Sequence, residues 1–389
     1  MRAICWNGVN DVRAERVPEP KILNPRDAIV RVTMSSVCGS DLHLLHGYIP
    51  TMKAGDIIGH EFIGEIVETG PGVKNLARGD RVVVCSILGC GACYYCKHQL
   101  FSLCDNSNPN HVVTDKLFGD TTGGIFGYSH AFGGYAGSHA EYVRVPLADV
   151  GAFRVPAGIP DERLVFASDA LATGYMGADI AGIQRGDVVA VWGAGGVGQM
   201  AIRSAYLLGA ERVIAIDQIP ERLAVAREKG HAETLNFREV DVLEALRELT
   251  GGRGPDRCID AVGMEAERGG LLGVYDRVKQ ALRLETDRPH VLRQAIMACR
   301  KGGTLSILGV YAGLVDKLPM GAVMNKALVI RTGQQHGQRY IPRLIEHIVR
   351  GEIDPSDLAT HRLPIEDAQR GYDLFASRKE GCLRVVFTP

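Results

Sequence analysis

No apolar run in the 389-residue chain approaches the roughly 18 residues that a membrane-spanning helix needs. The amino-terminal stretch MRAICWNGVNDVRAERVPEP has no apolar segment followed by a small-residue cleavage site, so no export signal is expected. An excess of either charge is missing too: 44 Lys and Arg stand against 45 Asp and Glu, a net charge of -1. That balance excludes bulk attraction to nucleic acid or to an anionic membrane. Internal repeats and long disordered stretches are also absent. Together these absences predict a cytoplasmic protein with neither nucleic acid nor membrane as a partner.

What is present is an ordinary globular composition, 46% hydrophobic, in a chain too long for one core. Two domains are expected. Ten cysteines do not suggest a disulfide framework, because such frameworks staple small domains and four of these ten fall within fifteen residues.

Up to about residue 150 the chain is built of short β-like runs, among them DAIVRVTM, EFIGEIVETG and DRVVVCSI, broken by Gly, Pro and Asp. Near residue 180 the rhythm changes to Val/Ile-rich strands alternating with helical segments: DVVAVWG, QMAIRSAYLLG, RVIAID, ERLAVAREKG. Strands without polar alternation belong in a parallel sheet covered on both faces. Two segments interrupt the pattern. The Gly-rich residues 118–142 read best as a long surface connection, with a ligand-facing loop as the alternative. The charged residues 263–290 are an insertion between a strand and the next helix, where strand ends of such sheets meet ligands.

Gly193, Gly195, Gly196, Val197 and Gly198 lie in a G-x-G-x-x-G turn between strand DVVAVW and a helix. Gly193 permits the tight turn, Gly195 lets backbone approach a pyrophosphate, and Gly198 permits close packing of helix on strand. Asp217 ends the next strand, where a carboxylate accepts from a ribose diol and repels a 2′-phosphate. NAD is therefore expected as cofactor, against the bland reading of a tight turn with a strand-end carboxylate.

Cys90, Cys93, Cys96 and Cys104, in CGACYYCKHQLFSLC, can wrap one tetrahedral ion and read as a structural zinc site, with an iron-sulfur cluster as the alternative. Cys38 opens CGSDLH after the strand AIVRVTM, and His60 in GHE is the natural second ligand of an open zinc site.

These motifs, in the order CGSDLH, GHE, four-cysteine lobe and dinucleotide fingerprint, resemble the zinc-containing alcohol dehydrogenases of the medium-chain dehydrogenase/reductase superfamily, over nearly the whole chain. The resemblance implies an α/β fold: a GroES-like, mainly β catalytic domain over residues 1–170 carrying a structural zinc lobe near 88–106. A doubly wound Rossmann domain over 171–328 binds NAD, and residues 329–389 complete the catalytic domain. It implies two zinc ions per chain, one catalytic and one structural. In that family a third catalytic ligand, most often cysteine, stands just before an A-x-T-G-Y-type segment. Here the segment is ALATGY and the residue is Asp169, which could alternatively cap the helix that follows.

The resemblance carries further roles. Ser40 is expected to touch the substrate oxygen, His43 to pass its proton to solvent, and Asp41 to orient His60. Glu61 resembles an acidic neighbour that approaches the metal during ligand exchange. Thr173 and Val197 resemble residues beside the nicotinamide, Arg222 a contact to adenosine ribose, and Arg384 a pyrophosphate contact. Gly39 departs from the pattern, since many relatives place a basic residue there. A ligand set of one thiolate, one imidazole and one carboxylate neutralises the zinc charge yet leaves a Lewis acid. Asp169 and the 263–290 insertion together resemble glutathione-independent formaldehyde dehydrogenases and formaldehyde dismutases, in which NAD is held tightly. The implied partners are a small alcohol or aldehyde substrate and further copies of the chain, a tetramer rather than a dimer. A threonine- or polyol-type dehydrogenase and a non-catalytic nucleotide-binding member are the competing readings.

Overall fold

A computed structural model describes residues 1–264, 289–311, 313 and 315–389; all but the ends of the 263–290 insertion lies outside them. The chain divides into two compact units, Met1–Ala172 with Gln335–Pro389, and Thr173–Gln334.

In the first unit, Ala28–Ser36 is the central strand of a largely antiparallel sheet. Its sequence AIVRVTMSS is buried almost throughout because it has neighbours on both edges. Its partner Glu61–Thr69 pairs Ser36 with Glu61 and Ser35 with Phe62. The carboxy-terminal strand Val385–Thr388 pairs Val386 with Ser36 on the other side. This register brings the chain just after one strand, just before the second and just before the third to one end of the sheet. Those three places are occupied by Cys38, His60 and Arg384. The short helical turn Val165–Ser168 docks beneath them, Ser168 Oγ accepting from the Phe62 amide at 3.0 Å and the Ser86 amide donating to Ser168 O at 3.3 Å.

The Gly-rich segment is not the surface connection expected of it. Gly127 lies so close to Gly59 that a Cβ on it would come within 2.2 Å of Gly59 O, and Gly137 presses on Ile58 in the same way. The amides of Ser138 and His139 donate to Gly59 O and Ile58 O at 2.8 and 3.0 Å. Glycines serve here because two backbones meet without room for side chains.

The second unit is a six-stranded parallel sheet in the order Glu233–Asn236, Arg212–Asp217, Val188–Trp192, Arg257–Asp260, Thr304–Ile307, Val329–Thr332. Val189, Val191, Val213, Ala215 and Ile259 are fully buried on one face; Ala190, Ile214, Cys258 and Leu305 fill the other. Apolar residues on both faces explain the missing polar alternation. The last strand corrects the expected boundary: Val329–Thr332 pairs with Thr304–Ile307, so the chain leaves this unit after Gln334 rather than after 328. Its apolar run reads alike in either sheet, and only strand pairing assigns it.

Candidate functional site

The glycine turn adopts the geometry its sequence requires. Gly193 has φ +87, and a Cβ on Gly198 would sit 1.7 Å from Gly193 O, so no other residue fits that contact. The helix Gly196–Leu207 starts there, with Val197 in its first turn. Asp217 Oδ2 accepts from the Ala194 amide at 2.7 Å, tying the second strand to the turn, while Oδ1 accepts from Gln218 and Ile219. Arg222 Nη1 stands 4.0 Å from Asp217 Oδ2 and would be 3.6 Å from a Cβ on Gly195. Acid, base and glycine turn thus form one cradle. Thr173 lies in the helix Ala170–Ala181.

The four-cysteine lobe holds its sulfurs within 4.8 Å of one another, with Cys90 and Cys96 3.9 Å apart and Cys93 and Cys104 4.0 Å apart. Zn–S bonds of about 2.3 Å make a tetrahedral edge of about 3.8 Å, so the spacing suits one zinc ion and is too tight to surround an iron-sulfur cluster. The amides of Ala92, Cys93, Cys96, Cys90 and Asn106 all donate to these sulfurs, as expected for thiolates. Against burial, which raises it, the Ala92 amide, the Asn106 side chain, the Cys93 amide and the Cys104 side chain bring the Cys90 thiol down to about 6.

Cys38, His60 and Asp169 form the second buried set. Asp169 Oδ2 lies 3.3 Å from Cys38 Sγ and 3.2 Å from His60 Nε2. Tetrahedral zinc at ordinary bond lengths predicts about 3.5 and 3.3 Å for those edges, so the donors fit that ion. Burial alone would strip the proton from His60, yet Asp41, Asp169 and Cys38 hold its pKa well above the usual value. The set thus attracts one positive charge; a metal entering it displaces that proton.

The residues around this set are also in place. His60 Nδ1 is 3.2 Å from Asp41 Oδ1, and Asp41 Oδ2 accepts from the Cys38 amide at 2.8 Å. Burial pushes the Asp41 carboxyl up, but His60, His139 and the Cys38 amide hold it below the usual range. Ser40 Oγ is 3.3 Å from His60 Nε2, beside the ligand atoms. His43 is 6% exposed on the helix Gly39–Leu45, not a surface histidine. Gly39 opens that helix with free space where a side chain would stand.

The first amide of the helix Ala170–Ala181 is taken by another carboxylate: Ala170 N donates to Glu61 Oε1 at 2.8 Å. Glu61 is wholly buried, with Oε2 3.5 Å from Arg384 Nη1. Burial raises its pKa to about 7 despite Arg384. Arg384 does not display the open donor fork of a phosphate contact. Only 2% exposed, it turns inward onto Glu61 and donates to Val37 O at 2.5 Å.

Three residues near the site carried no expectation. His139, wholly buried, bonds Ser35 Oγ through Nδ1 at 2.9 Å and places Nε2 3.9 Å from Asp41 Oδ2. The ring of Tyr128 meets that of His60 edge-on at 6.4 Å. Gln335 donates to Asp169 Oδ1 at 2.6 Å. None sits in a motif; His139 and Tyr128 come from the Gly-rich segment, whose density of glycines was the available signal.

Two metal-binding sets, one closed by four thiolates and one with three ligands, in a chain that also carries a dinucleotide fold, define a zinc-dependent, nucleotide-linked oxidoreductase. Residues 24–157 match the alcohol dehydrogenase GroES-like domain and residues 196–268 the zinc-binding dehydrogenase family. The chain is 41% identical to an uncharacterized zinc-type alcohol dehydrogenase-like protein, AdhB, of Bacillus subtilis, covering 100% of both chains. It is 33% identical to a glutathione-independent formaldehyde dehydrogenase of Pseudomonas aeruginosa, covering 96% of this chain and 94% of that one. Among solved structures, alcohol dehydrogenase TADH from Thermus sp. ATN1 superposes with a TM-score of 0.83 at 34% identity, over 100% of this chain and 99% of that one. The chain belongs to the zinc-containing alcohol dehydrogenases of the medium-chain dehydrogenase/reductase superfamily.

Proposed function

We propose that this chain interconverts a short alcohol and its aldehyde with NAD, in the manner of a formaldehyde dehydrogenase, retaining NAD tightly. The observation that carries the reading is Asp169, a carboxylate within 3.3 Å of Cys38 Sγ and of His60 Nε2. Zinc held by these three residues supplies Lewis acidity to the substrate oxygen, and NAD supplies the hydride acceptor. The chain's own groups do the rest. Ser40 Oγ takes the hydroxyl proton, and His43 passes it onward. Asp41 fixes the tautomer of His60, leaving Nε2 for the metal. Asp217 favours NAD over NADP at the ribose. The resemblance to a formaldehyde dehydrogenase supports the substrate class.

The chain also pairs with further copies along the strand Val329–Thr332. Val329 and Ile330 are 44% and 40% exposed on this sheet edge, an arrangement that invites strand pairing. Two zinc ions per chain, and reduction of NAD by a short alcohol or by formaldehyde, are the expected results; one zinc and no turnover would sink the reading. NAD that survives dialysis supports the tight-cofactor form. Asp169→Ala should lose one zinc and all turnover while staying folded.

A further inference from the structure

The ligand set uses only half of Asp169. Oδ2 faces Cys38 and His60, while Oδ1 accepts from Gln335 Nε2 at 2.6 Å. The same nitrogen lies 2.6 Å from Ser86 Oγ and 3.2 Å from Ser168 O. A carboxylate and a backbone carbonyl only accept, so the amide nitrogen, not its oxygen, must face Asp169. Gln335 is 3% exposed, and its Oε1 is buried with no hydrogen-bond partner among the described residues. Leaving that oxygen unsatisfied carries a cost that an apolar side chain of the same size would avoid. Gly337 makes the seat: a Cβ there would meet Gln335 Oε1 at 2.7 Å and Cys85 Sγ at 2.5 Å.

A cysteine ligand has one donor atom and needs no such device. An aspartate has two, and if both bind, the second takes up the position an incoming oxygen requires. We propose that Gln335 is a positioning residue that holds Asp169 as a one-oxygen ligand, keeping one coordination position of the zinc open. This rests on the reading of Cys38, His60 and Asp169 as the zinc ligands. The hydrogen bond joins residues 166 apart in sequence, and each lies within three residues of a crossing between the two units.

The test is Gln335→Met, which keeps the length and removes the donor, in protein whose catalytic site carries cobalt(II) and whose cysteine lobe keeps zinc. Four-coordinate cobalt absorbs visible light more strongly than five-coordinate cobalt. The variant should show weakened bands and bind metal at this site about 10- to 100-fold less tightly, with zinc in the lobe retained. Gln335→Asn, which withdraws the amide by one methylene, should reproduce both changes. In an Asp169→Cys background, Gln335→Met should alter neither, because the ligand then has a single donor atom. Unchanged bands and affinity in Gln335→Met overturn the proposal. Equal losses in the Asp169→Cys background also overturn it, since Gln335 would then merely prop Ser168. Retention of both metals by Asp169→Ala would instead defeat the ligand assignment itself.

Discussion

Replacing Arg384 with Met should make the stability of the catalytic unit fall with pH where the wild type no longer does. Arg384 Nη1 stands 3.5 Å from Glu61 Oε2 inside the unit, and neither side chain reaches solvent appreciably. Burial lifts the Glu61 pKa from 4.5 to about 7, and Arg384 is the largest influence restraining it. A carboxyl with a raised folded pKa stabilises fully below its unfolded pKa, and that contribution is lost as pH rises to the folded value. For the wild type the loss between pH 4.5 and 7 comes to about 3 kcal/mol, at roughly 1.4 kcal/mol per pH unit, and then levels off. Without the guanidinium, Glu61 should titrate near the 8–9 seen for buried carboxylates. The variant's stability should then keep falling by about 1.4 kcal/mol per unit above pH 7, for a further loss of about 2 kcal/mol by pH 9. The chain has two tryptophans, Trp6 in the catalytic unit and Trp192 in the coenzyme sheet. Urea unfolding followed by Trp6 fluorescence in a Trp192→Phe background, at matched zinc occupancy, reads the right unit. Adding Glu61→Gln should flatten the profile again. Parallel pH profiles for wild type and Arg384→Met would refute the coupling. NAD affinity measured on the same variant tests the expected phosphate contact separately.

Further outcomes follow from the same geometry. His139 is wholly buried and burial lowers its pKa from 6.5 to about 4, so the unfolded chain gains a proton first as pH falls; this residue should remove up to about 3 kcal/mol between pH 6.5 and 4. Glu61 acts with the opposite sign there, so the measurement is the difference between wild type and His139→Phe, which should shrink toward pH 4; a constant difference would refute the neutral buried imidazole. Gly59→Ala forces a Cβ within 2.5 Å of the His139 ring at a φ of +94. It should cost about 1–3 kcal/mol and weaken the catalytic zinc before the structural one, as metal release by a chelator would show. Asp217→Asn should narrow the preference for NAD over NADP measured by kcat/KM. It should also cost about 1 kcal/mol, because its carboxylate accepts from Ala194, Gln218 and Ile219; unchanged preference would remove Asp217 from the ribose site.

What could be read directly was what lies close together along the chain. The glycine turn and Asp217 act within one strand, turn, helix and strand, and the four thiolates need only the loop that carries them. Local backbone geometry determines both, so residue type and spacing suffice. The Val/Ile-rich strands likewise declared a covered parallel sheet, because burial on both faces leaves no room for polar alternation.

Tertiary structure decided everything that depends on register. Cys38 and Asp169 are 131 residues apart, and they meet because Ser36 pairs with Glu61 and Ser168 bonds to Phe62. Resemblance pointed to Asp169, but no local pattern could show that Glu61 takes the helix amide, that Arg384 turns inward, or that Gln335 holds the second oxygen. The strand Val329–Thr332 looks the same in either sheet until its neighbour is known. The Gly-rich segment shows the same limit: its glycines announce freedom, whereas packing uses them for contact. A one-dimensional pattern reports what each residue can do; which long-range partner it meets follows from strand pairing and burial, to which distant parts of the chain contribute together.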